Sequence, residues 1–379
     1  MIKLPGMDEV WAALPEVRMV GGAVRDMLVG REVADVDFAS PLTPREVMAR
    51  AKACGLKAVP TGVEHGTVTL VAAGRGFEVT SLRRDVETDG RHARVEFTDD
   101  WREDAARRDF TINAMSCTRD GEIFDYFGGR ADLAAGIVRF VGEAAARIAE
   151  DYLRVLRFFR FFARYGRGGP DARAVAAIAE GREGLRQLSA ERVWSEVKKI
   201  LAAPAPLAAV ELMRETGVLE IVLPGAKPER LAALLGRGAP VDPLLRVAAL
   251  TDEDLAVRLK LSGAEAAALA AWRKPLGLKP EDDEAALRRA LAEAPHEMLM
   301  GRVWLWGGDG AGWAGLRDRM AAMERPVFPL LGRDLVALGM EPGLRMGEIL
   351  AEMRRWWMEG GCVAGRVACL ERVREMAGG

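Results

Sequence analysis

The stretch VGGAVRDMLVGREVADVDFAS, residues 20–40, decides how the first part of this chain folds. A short apolar run leads into Gly21 and Gly22, which predicts a strand that ends in a tight turn. A helical pattern that carries Arg25 follows and ends at Gly30. Because glycines allow close backbone approach and amides at a helix start point at anions, the pattern indicates a phosphate site. Arg25, one turn into the helix, can donate two hydrogen bonds to a phosphate.

Two aspartates, two residues apart, follow this helix and are candidate metal ligands. Asp35 and Asp37 lie in an apolar run that reads as the next strand, and residues two apart on a strand share one face. Paired carboxylates suit Mg²⁺, which keeps water ligands and takes up phosphate oxygens. Such a pair is common in loops, so the prediction rests on its position after the glycine turn. Together these elements predict a triphosphate site that faces a metal site.

Beyond this stretch, the predicted secondary structure changes near residue 140, from short strands to helices. Before that point, short β-like runs such as TVTLVAA (67–73) alternate with turns, and beyond it Ala, Leu, Arg and Glu dominate with helical periodicity. We therefore predict an α+β fold, in which a small mixed β-sheet head precedes an all-helical body. The predicted parts are 1–140, 141–205 and 206–379.

Composition excludes several classes of protein. The chain has 379 residues with 54 Lys and Arg against 56 Asp and Glu, a net charge of −2, so bulk positive charge cannot hold a nucleic acid and any such site is a local patch. Four cysteines without a CxxC pair and three histidines offer no disulfide framework or histidine-based metal site. Neither an apolar signal core nor a run of 18 apolar residues occurs. We expect a cytoplasmic protein without a membrane span.

The motifs of residues 18–201 resemble, in the same order, those of the class II tRNA nucleotidyltransferases and bacterial poly(A) polymerases, in the polymerase-β-like superfamily. The family's first motif, GGxVRD followed by DxD, is matched by Gly21, Gly22, Arg25, Asp26, Asp35 and Asp37. Further resembling segments are EHGTVTLVAAGRGFEVTSLRRD (64–85), the loop segment DGRHARVEF (89–97), ARRDFTINAM (106–115), DLAAGIVRFVG (132–142), EDYLR (150–154) and LSAERVWSEVKKIL (188–201).

The resemblance assigns roles to a second group of polar residues. It implies that Arg108 contacts the nucleotide and that Asp109 contacts a ribose hydroxyl, which favours ribonucleotides. Further along the chain, Arg157 and Arg160 match positions that hold phosphates. We expect these side chains to join the glycine turn in one nucleotide site.

One predicted helix, from about 144 to 165, carries the residues that resemble the family's base-reading motif. Asp151 only accepts hydrogen bonds and Arg154 only donates them. Cytosine and adenine offer an amino donor beside a ring acceptor, whereas guanine and uracil offer the reverse arrangement. The pair therefore accepts C and A, and it leaves G and U with buried polar groups that lack partners. Such a site selects bases without a nucleic-acid template.

The expected activity is template-independent addition of CCA to the 3′ end of tRNA from CTP and ATP. The resemblance implies that Asp35 and Asp37 bind two Mg²⁺ ions where the 3′ hydroxyl attacks the α-phosphate. It also implies a catalytic head, a neck that recognises the base and a body that binds tRNA. Alternatives are a bacterial poly(A) polymerase, a CC-only or A-only enzyme, and an inactive RNA-binding module. Glu78 is either a third acidic group near the metals or a partner of an arginine, and the oligomeric state stays open.

Overall fold

The computed structural model describes residues 2–89 and 92–378, and its first part is built on a seven-stranded sheet. The strands of this sheet are β1 (Arg18–Val20), β2 (Asp37–Ser40), β3 (Lys57–Gly62), β4 (Thr67–Ala72), β5 (Arg75–Ser81), β8 (Met115–Cys117) and β9 (Ile123–Asp125). A separate two-stranded sheet consists of β6 (Arg83–Asp89) and β7 (His92–Phe97). Helices dominate the remainder of the described chain. The architecture confirms the predicted α+β fold with a small mixed sheet followed by a helical body.

The sheet has the order β3-β4-β5-β2-β1-β8-β9. Strand β2 runs parallel to β5, and the other neighbouring pairs are antiparallel. In this register Asp37 lies beside Val20 of β1 on one side and beside Glu78 of β5 on the other. The order therefore places the end of β1, the start of β2 and the middle of β5 next to one another.

The strand that carries the paired aspartates is shorter than predicted. Strand β2 begins at Asp37, and Asp35 lies in the irregular segment before it. The ladder stops there because β1 ends at Val20, after which Gly21 turns the chain away with a φ of 65°. Val36 is 4% exposed while both aspartates are exposed, so the alternation of a strand continues without its hydrogen bonds.

The helices of the first part surround this sheet and extend beyond it. They are α1 (Met7–Ala13), α2 (Gly22–Leu28), α3 (Pro44–Ala53), α4 (Trp101–Ala106), α5 (Gly129–Ala135), α6 (Ala144–Glu150), α7 (Leu153–Tyr165), α8 (Ala172–Gly181), α9 (Ala190–Leu201), α10 (Leu207–Glu215) and α11 (Val218–Val222). Short 3-10 helices cover Val63–His65, Thr111–Asn113 and Arg182–Gln187. Helix α3 begins with a capping box in which Thr43 and Glu46 satisfy each other's backbone amides, as sequence rules predict for this pattern.

The single helix predicted from about 144 to 165 is wrong, because the chain breaks at Asp151. Helix α6 ends at Glu150 and α7 begins at Leu153, and Asp151 between them is extended with a φ of −158°. Its Oδ1 accepts a hydrogen bond from the Leu153 amide at 3.1 Å. An aspartate that accepts from the amide two residues further on forms an Asx turn, which competes with a continuous helix.

Helix α7 packs its aromatic face against segments of the sheet domain. Phe158 stacks on Phe140 with ring centroids 6.0 Å apart, and Phe110 lies 4.8 Å from Phe140 and 5.2 Å from Phe161. These rings are buried, while Arg154, Arg157 and Arg160 of α7 lie at half-buried positions. Burial of such large apolar side chains contributes about 1.5–3 kcal/mol each and fixes the direction in which the arginines of α7 point.

The segment DGRHARVEF (89–97), expected to form a loop, is largely a strand. Strand β7 pairs antiparallel with β6, with Arg83 opposite Phe97 and Asp89 opposite His92. Residues 90 and 91 of the expected loop lie outside the described residues. Alternation of apolar and polar residues in HARVEF is the signal that favours a strand over a loop.

The chain forms two compact units, Met1–Pro224 and Gly225–Gly379. The second unit consists of α12 (Pro228–Gly236), α13 (Pro243–Leu250), α14 (Gly263–Trp272), α15 (Glu284–Glu293), α16 (His296–Trp306), α17 (Ala311–Ala322), α18 (Gly332–Val336), α19 (Leu344–Glu359) and α20 (Arg366–Gly378). Its hydrophobic core includes separate clusters around Trp272, Leu291 and Trp357. None of the helices in the described ranges has the length and hydropathy needed to cross a bilayer.

Candidate active site

A cavity of about 810 Å³ in the first unit collects nearly all of the predicted site residues. Those that line it are Gly21, Gly22, Arg25, Asp37, Arg108, Asp109, Asp151, Arg154, Arg157 and Arg160. Asp35 is the predicted site residue that is not among its lining residues. Ligand pockets commonly have volumes of about 300–1,000 Å³, so this cavity has room for a nucleotide.

The glycine turn keeps two arginines close to the backbone of α2. A Cβ atom at residue 21 would lie 3.1 Å from Nη1 of Arg108, and one at residue 22 would lie 3.5 Å from Nη2 of Arg25. Gly21 also has a φ of 65°, which favours glycine over residues with a side chain. The turn therefore needs glycine at position 21 both for its conformation and for the approach of Arg108.

Arg25 lines the cavity, and three of its N–H groups already have protein partners. Its Nε and Nη2 donate to the carboxylate of Asp26, and its Nη1 donates to Oδ1 of Asn113 at 2.5 Å. A guanidinium has five N–H groups, so two remain for an anion in the cavity. The side chain is held in place on the protein side and is 8% exposed.

Asp109, the predicted ribose contact, lies in a dense network. One oxygen accepts from the Phe110 amide at 2.9 Å and from Asn113 Nδ2 at 3.1 Å, and the other accepts from Arg157 Nε at 2.6 Å. Burial of the carboxyl opposes ionisation, but Arg157 and Asn113 outweigh it and hold the pKa of Asp109 below its usual range. Asp109 is therefore an ionised acceptor at neutral pH, and Arg157 is tied to it.

The two predicted base-reading residues contact other partners than each other. Oδ2 of Asp151 accepts from Nη2 of Arg192 at 2.7 Å, while Arg154 forms an ion pair with Glu150 and donates to the Arg147 carbonyl oxygen at 3.0 Å. Each of the two side chains is thus held by an ion pair with a residue of opposite charge. Unused lone pairs of Asp151 and unused N–H groups of Arg154 remain for a ligand.

Arg160 faces a second polar group that comes from α9. Its Nε lies 3.2 Å from Oε2 of Glu196, whose Oε1 accepts from Nζ of Lys199 at 3.0 Å. Glu196 is 3% exposed, and both of its basic partners line the cavity. The guanidinium of Arg160 also lies 4.5 Å from the ring centroid of Phe161. A buried carboxylate therefore orients two cations towards the cavity.

The acidic end of the cavity is formed around Asp37. Partial desolvation of its carboxyl raises its pKa above the ordinary value, the adjacent Glu78 and nearby Asp35 raise it further, and Arg108 acts in the opposite direction. Among the side chains that the structure describes, these three carboxylates form no ion pair or hydrogen bond. Glu78 and Asp35 disfavour the charged form of Asp37, and Arg108 is a nearby cation that favours it. Carboxylates placed this close together fit a divalent ion at this place.

The carboxylates do not form a complete metal cage. In the described part of the chain, no group of three or more His, Cys, Asp or Glu side chains is arranged to hold one ion. Glu78 lies beside Asp37 in the register of β2 and β5, and its charge raises the pKa of Asp37.

Several cavity residues were missed by the sequence analysis. Arg192 and Lys199 of α9 and Asn113 of the 3-10 helix line the cavity, together with Asp26, Leu153, Phe161, Arg164 and Tyr165. The available signal was the spacing of Arg192, Glu196 and Lys199, which places polar residues at i, i+4 and i+7 on one helix face. No local pattern marked Asn113, because its partners lie in α2 and in the preceding segment.

Two segments of this chain match known protein families. Residues 17–139 match the family described as Poly A polymerase head domain, and residues 170–230 match the family described as Probable RNA and SrmB- binding site of polymerase A. The first match covers the sheet, the glycine turn and Asp109. The second covers α9, which carries Arg192 and Lys199.

Similar proteins extend the match to the whole chain. The crystal structure of the Bacillus stearothermophilus CCA-adding enzyme in complex with CTP is 27% identical, with a TM-score of 0.71 over 99% of this chain and 98% of that chain. The CCA-adding enzyme of Levilactobacillus brevis is 30% identical over 92% of this chain and 91% of its own length. The mitochondrial CCA tRNA nucleotidyltransferase 1 of Danio rerio is 38% identical over 90% of this chain and 83% of its own length. The chain therefore belongs to the CCA-adding tRNA nucleotidyltransferase family, of the class II type predicted from its motifs.

Proposed function

We propose that this enzyme adds C, C and A in turn to the 3′ end of tRNA, with CTP and ATP as substrates and without a nucleic-acid template. The observation that carries the proposal is a single cavity in which Asp37, the glycine turn and the pair of Asp151 and Arg154 meet. A metal-binding carboxylate, a phosphate site and a base-reading pair within one nucleotide-sized space are the parts this reaction requires. The names of the relatives from Levilactobacillus brevis and Danio rerio support it.

Enzymes of this family are metal-dependent, and we propose Mg²⁺ held by Asp35 and Asp37. The acidic neighbours Glu78 and Asp35, which raise the pKa of Asp37, support a cation at this place. Bound there, the metal would supply activation of the 3′ hydroxyl and neutralisation of charge on the triphosphate. Asp35 lies before β2 and does not line the cavity. For Asp35 to bind the metal, the segment before β2 would have to shift towards the cavity when the ion binds.

The basic residues of the cavity bind and orient the triphosphate. Arg25, Arg108 and Arg160 lie on different elements, and each is anchored by a carboxylate on the protein side. Their remaining N–H groups can therefore donate to phosphate oxygens without reorganisation, which is how a site contributes to in-line attack on the α-phosphate. No side-chain nucleophile is required for this reaction.

The base is selected by Asp151 and Arg154. The amino group of cytosine or adenine donates to the free lone pairs of Asp151, and the adjacent ring nitrogen accepts from Arg154. Guanine or uracil would place acceptor against acceptor and donor against donor, at a cost of about 1–3 kcal/mol for each unpaired group. Asp109, already ionised, has the acceptor character needed for a ribose hydroxyl.

We propose further that residues 1–140 are the catalytic head, 141–205 the neck that recognises the nucleotide, and 206–379 the body that binds tRNA by shape and backbone contacts. The match of residues 170–230 to an RNA-binding family supports an RNA contact near the start of this body. A cytoplasmic location remains our prediction, while some relatives carry mitochondrial names.

A product assay tests the proposed function. Purified enzyme is given tRNA that lacks its 3′ CCA together with CTP alone, ATP alone or both, and the products are resolved at nucleotide resolution. We expect two additions with CTP alone and three additions, ending in CCA, with both nucleotides. Long A tails would instead support the poly(A) polymerase alternative, which the description of the matched head family also names. Products that stop after CC with both nucleotides present would indicate the CC-only alternative.

A further inference from the structure

Tyr165, the last residue of α7, joins the base-reading helix to the glycine turn. Its hydroxyl donates a hydrogen bond to Oδ1 of Asp26 in α2, and the residue lines the cavity although it is only 6% exposed. The guanidinium groups of Arg25 and Arg31 lie 4.5 Å and 4.6 Å from the centroid of its ring. The sequence motifs gave this tyrosine no role.

Both oxygens of Asp26 accept hydrogen bonds from Arg25, and Oδ1 accepts from Tyr165 as well. Oδ1 of Asp26 receives Nε of Arg25 at 3.2 Å, and Oδ2 receives Nη2 at 2.9 Å. Burial opposes ionisation of Asp26, but the hydrogen bonds from Arg25 and Tyr165 outweigh it and keep the pKa of Asp26 below its usual value. Arg25 is thus held by Asp26 and by Asn113, and the Tyr165 hydroxyl holds Asp26 from the other helix.

We infer that Tyr165 is a positioning residue that acts through Asp26 to aim Arg25 at the triphosphate of the incoming nucleotide. The inference rests on the proposed function, because it assumes that the anion facing Arg25 is a nucleoside triphosphate. With Asp26 fixed by Tyr165, Arg25 is held by both Asp26 and Asn113, and its two unused N–H groups remain for an anion in the cavity. The triphosphate is common to CTP and ATP, so Tyr165 affects both substrates equally and leaves the choice of base to Asp151 and Arg154.

The variant Tyr165→Phe tests this inference because it removes the hydroxyl and keeps the ring between the two guanidinium groups. A hydrogen bond to a charged group contributes enough to change affinity about tenfold. We therefore expect KM to rise about tenfold for CTP and equally for ATP, and inhibition by inorganic pyrophosphate to weaken by the same factor. The value of kcat changes less than KM, and the preference for C and A over G and U stays that of the wild type.

The matched control is Tyr126→Phe, which also removes a tyrosine hydroxyl that contacts an arginine, 3.4 Å from Nη1 of Arg18, away from the cavity. This control keeps the wild-type KM and pyrophosphate inhibition. A second variant, Asp26→Asn, tests whether Tyr165 acts on Arg25 through Asp26. The double variant Asp26→Asn with Tyr165→Phe loses little more pyrophosphate inhibition than Asp26→Asn alone, since both changes release Arg25.

The outcomes separate this inference from the proposed function. A wild-type enzyme that extends tRNA, with a Tyr165→Phe variant whose KM and pyrophosphate inhibition are unchanged, overturns the inference and leaves the function standing. A lowered melting temperature with unchanged KM also overturns it, because the hydroxyl would then be purely structural. A wild-type enzyme that adds no nucleotides to tRNA instead overturns the function itself.

Discussion

The ion pair between Arg192 and Asp151 offers a direct test of how the base is read. Arg192→Ala removes the guanidinium that fixes Oδ2 of Asp151 at 2.7 Å and leaves the carboxylate with its hydrogen bond from the Leu153 amide. The aspartate then rotates more freely and no longer presents a fixed set of lone pairs. Rejection of G and U weakens, because the mismatched acceptors can move apart.

The size of the effect follows from the environment of the pair. The Arg192 and Asp151 side chains are 26% and 22% exposed, so the interaction is partly screened. A hydrogen bond between charged groups contributes about 1.5–3 kcal/mol, and partial exposure favours the lower value, about 1.5 kcal/mol. This amounts to about a tenfold loss in the preference for CTP over UTP and for ATP over GTP.

The assay compares kcat/KM for all four nucleotides on tRNA acceptors that await C or A. The control is Arg186→Ala, which removes an exposed i,i+3 ion pair with Glu183 outside the cavity and leaves selectivity unchanged. If Arg192→Ala kept wild-type selectivity while all four rates fell together, Arg192 would support general binding, and the proposed orientation of Asp151 would be wrong.

Three further predictions concern other parts of the molecule. Glu196→Gln removes the charge between Arg160 and Lys199 and lowers stability by about 2–4 kcal/mol, measured by thermal unfolding, while the exposed Glu183→Gln leaves the melting temperature unchanged. Glu78→Gln removes a negative neighbour of Asp37, so the raised pKa of Asp37 falls towards its ordinary value in metal-free protein. An NMR titration of Asp37 measures this pKa, and the same midpoint in the wild type and the variant would contradict the charge interaction between Glu78 and Asp37. Binding of tRNA weakens as salt rises, and an affinity that is independent of salt would exclude phosphate contacts by the body.

The class of fold was predictable because it depends on the periodicity of long segments. Runs such as TVTLVAA alternate as the strands of the sheet do, and the later segments keep a helical period across many turns. The break at Asp151 was not predicted, since EDYLR contains neither glycine nor proline. At the break, the Asp151 carboxylate accepts hydrogen bonds from the Leu153 amide and from Arg192, which lies 41 residues further along the chain.

The candidate site was predicted where a motif holds its residues and missed where distant segments meet. The glycine turn, Arg108 and Asp109 were found because each belongs to a compact motif. The bond between Asp109 and Arg157 spans 48 residues, and that between Asp26 and Tyr165 spans 139, so no local pattern could reveal them. For the same reason the hydrogen bond between Arg25 and Asn113, which lie 88 residues apart, was not predicted.

The central claim is that Asp35 and Asp37 carry the chemistry of nucleotide addition. Its most direct test is single-turnover incorporation of CMP from CTP by Asp35→Ala and Asp37→Ala, with Asp8→Ala, an exposed residue of α1, as the control. We expect a loss of at least about a thousandfold for each variant of the pair, with an unchanged circular dichroism spectrum and CTP still bound through the basic side of the cavity. Incorporation within tenfold of the wild-type rate by Asp37→Ala would contradict the account.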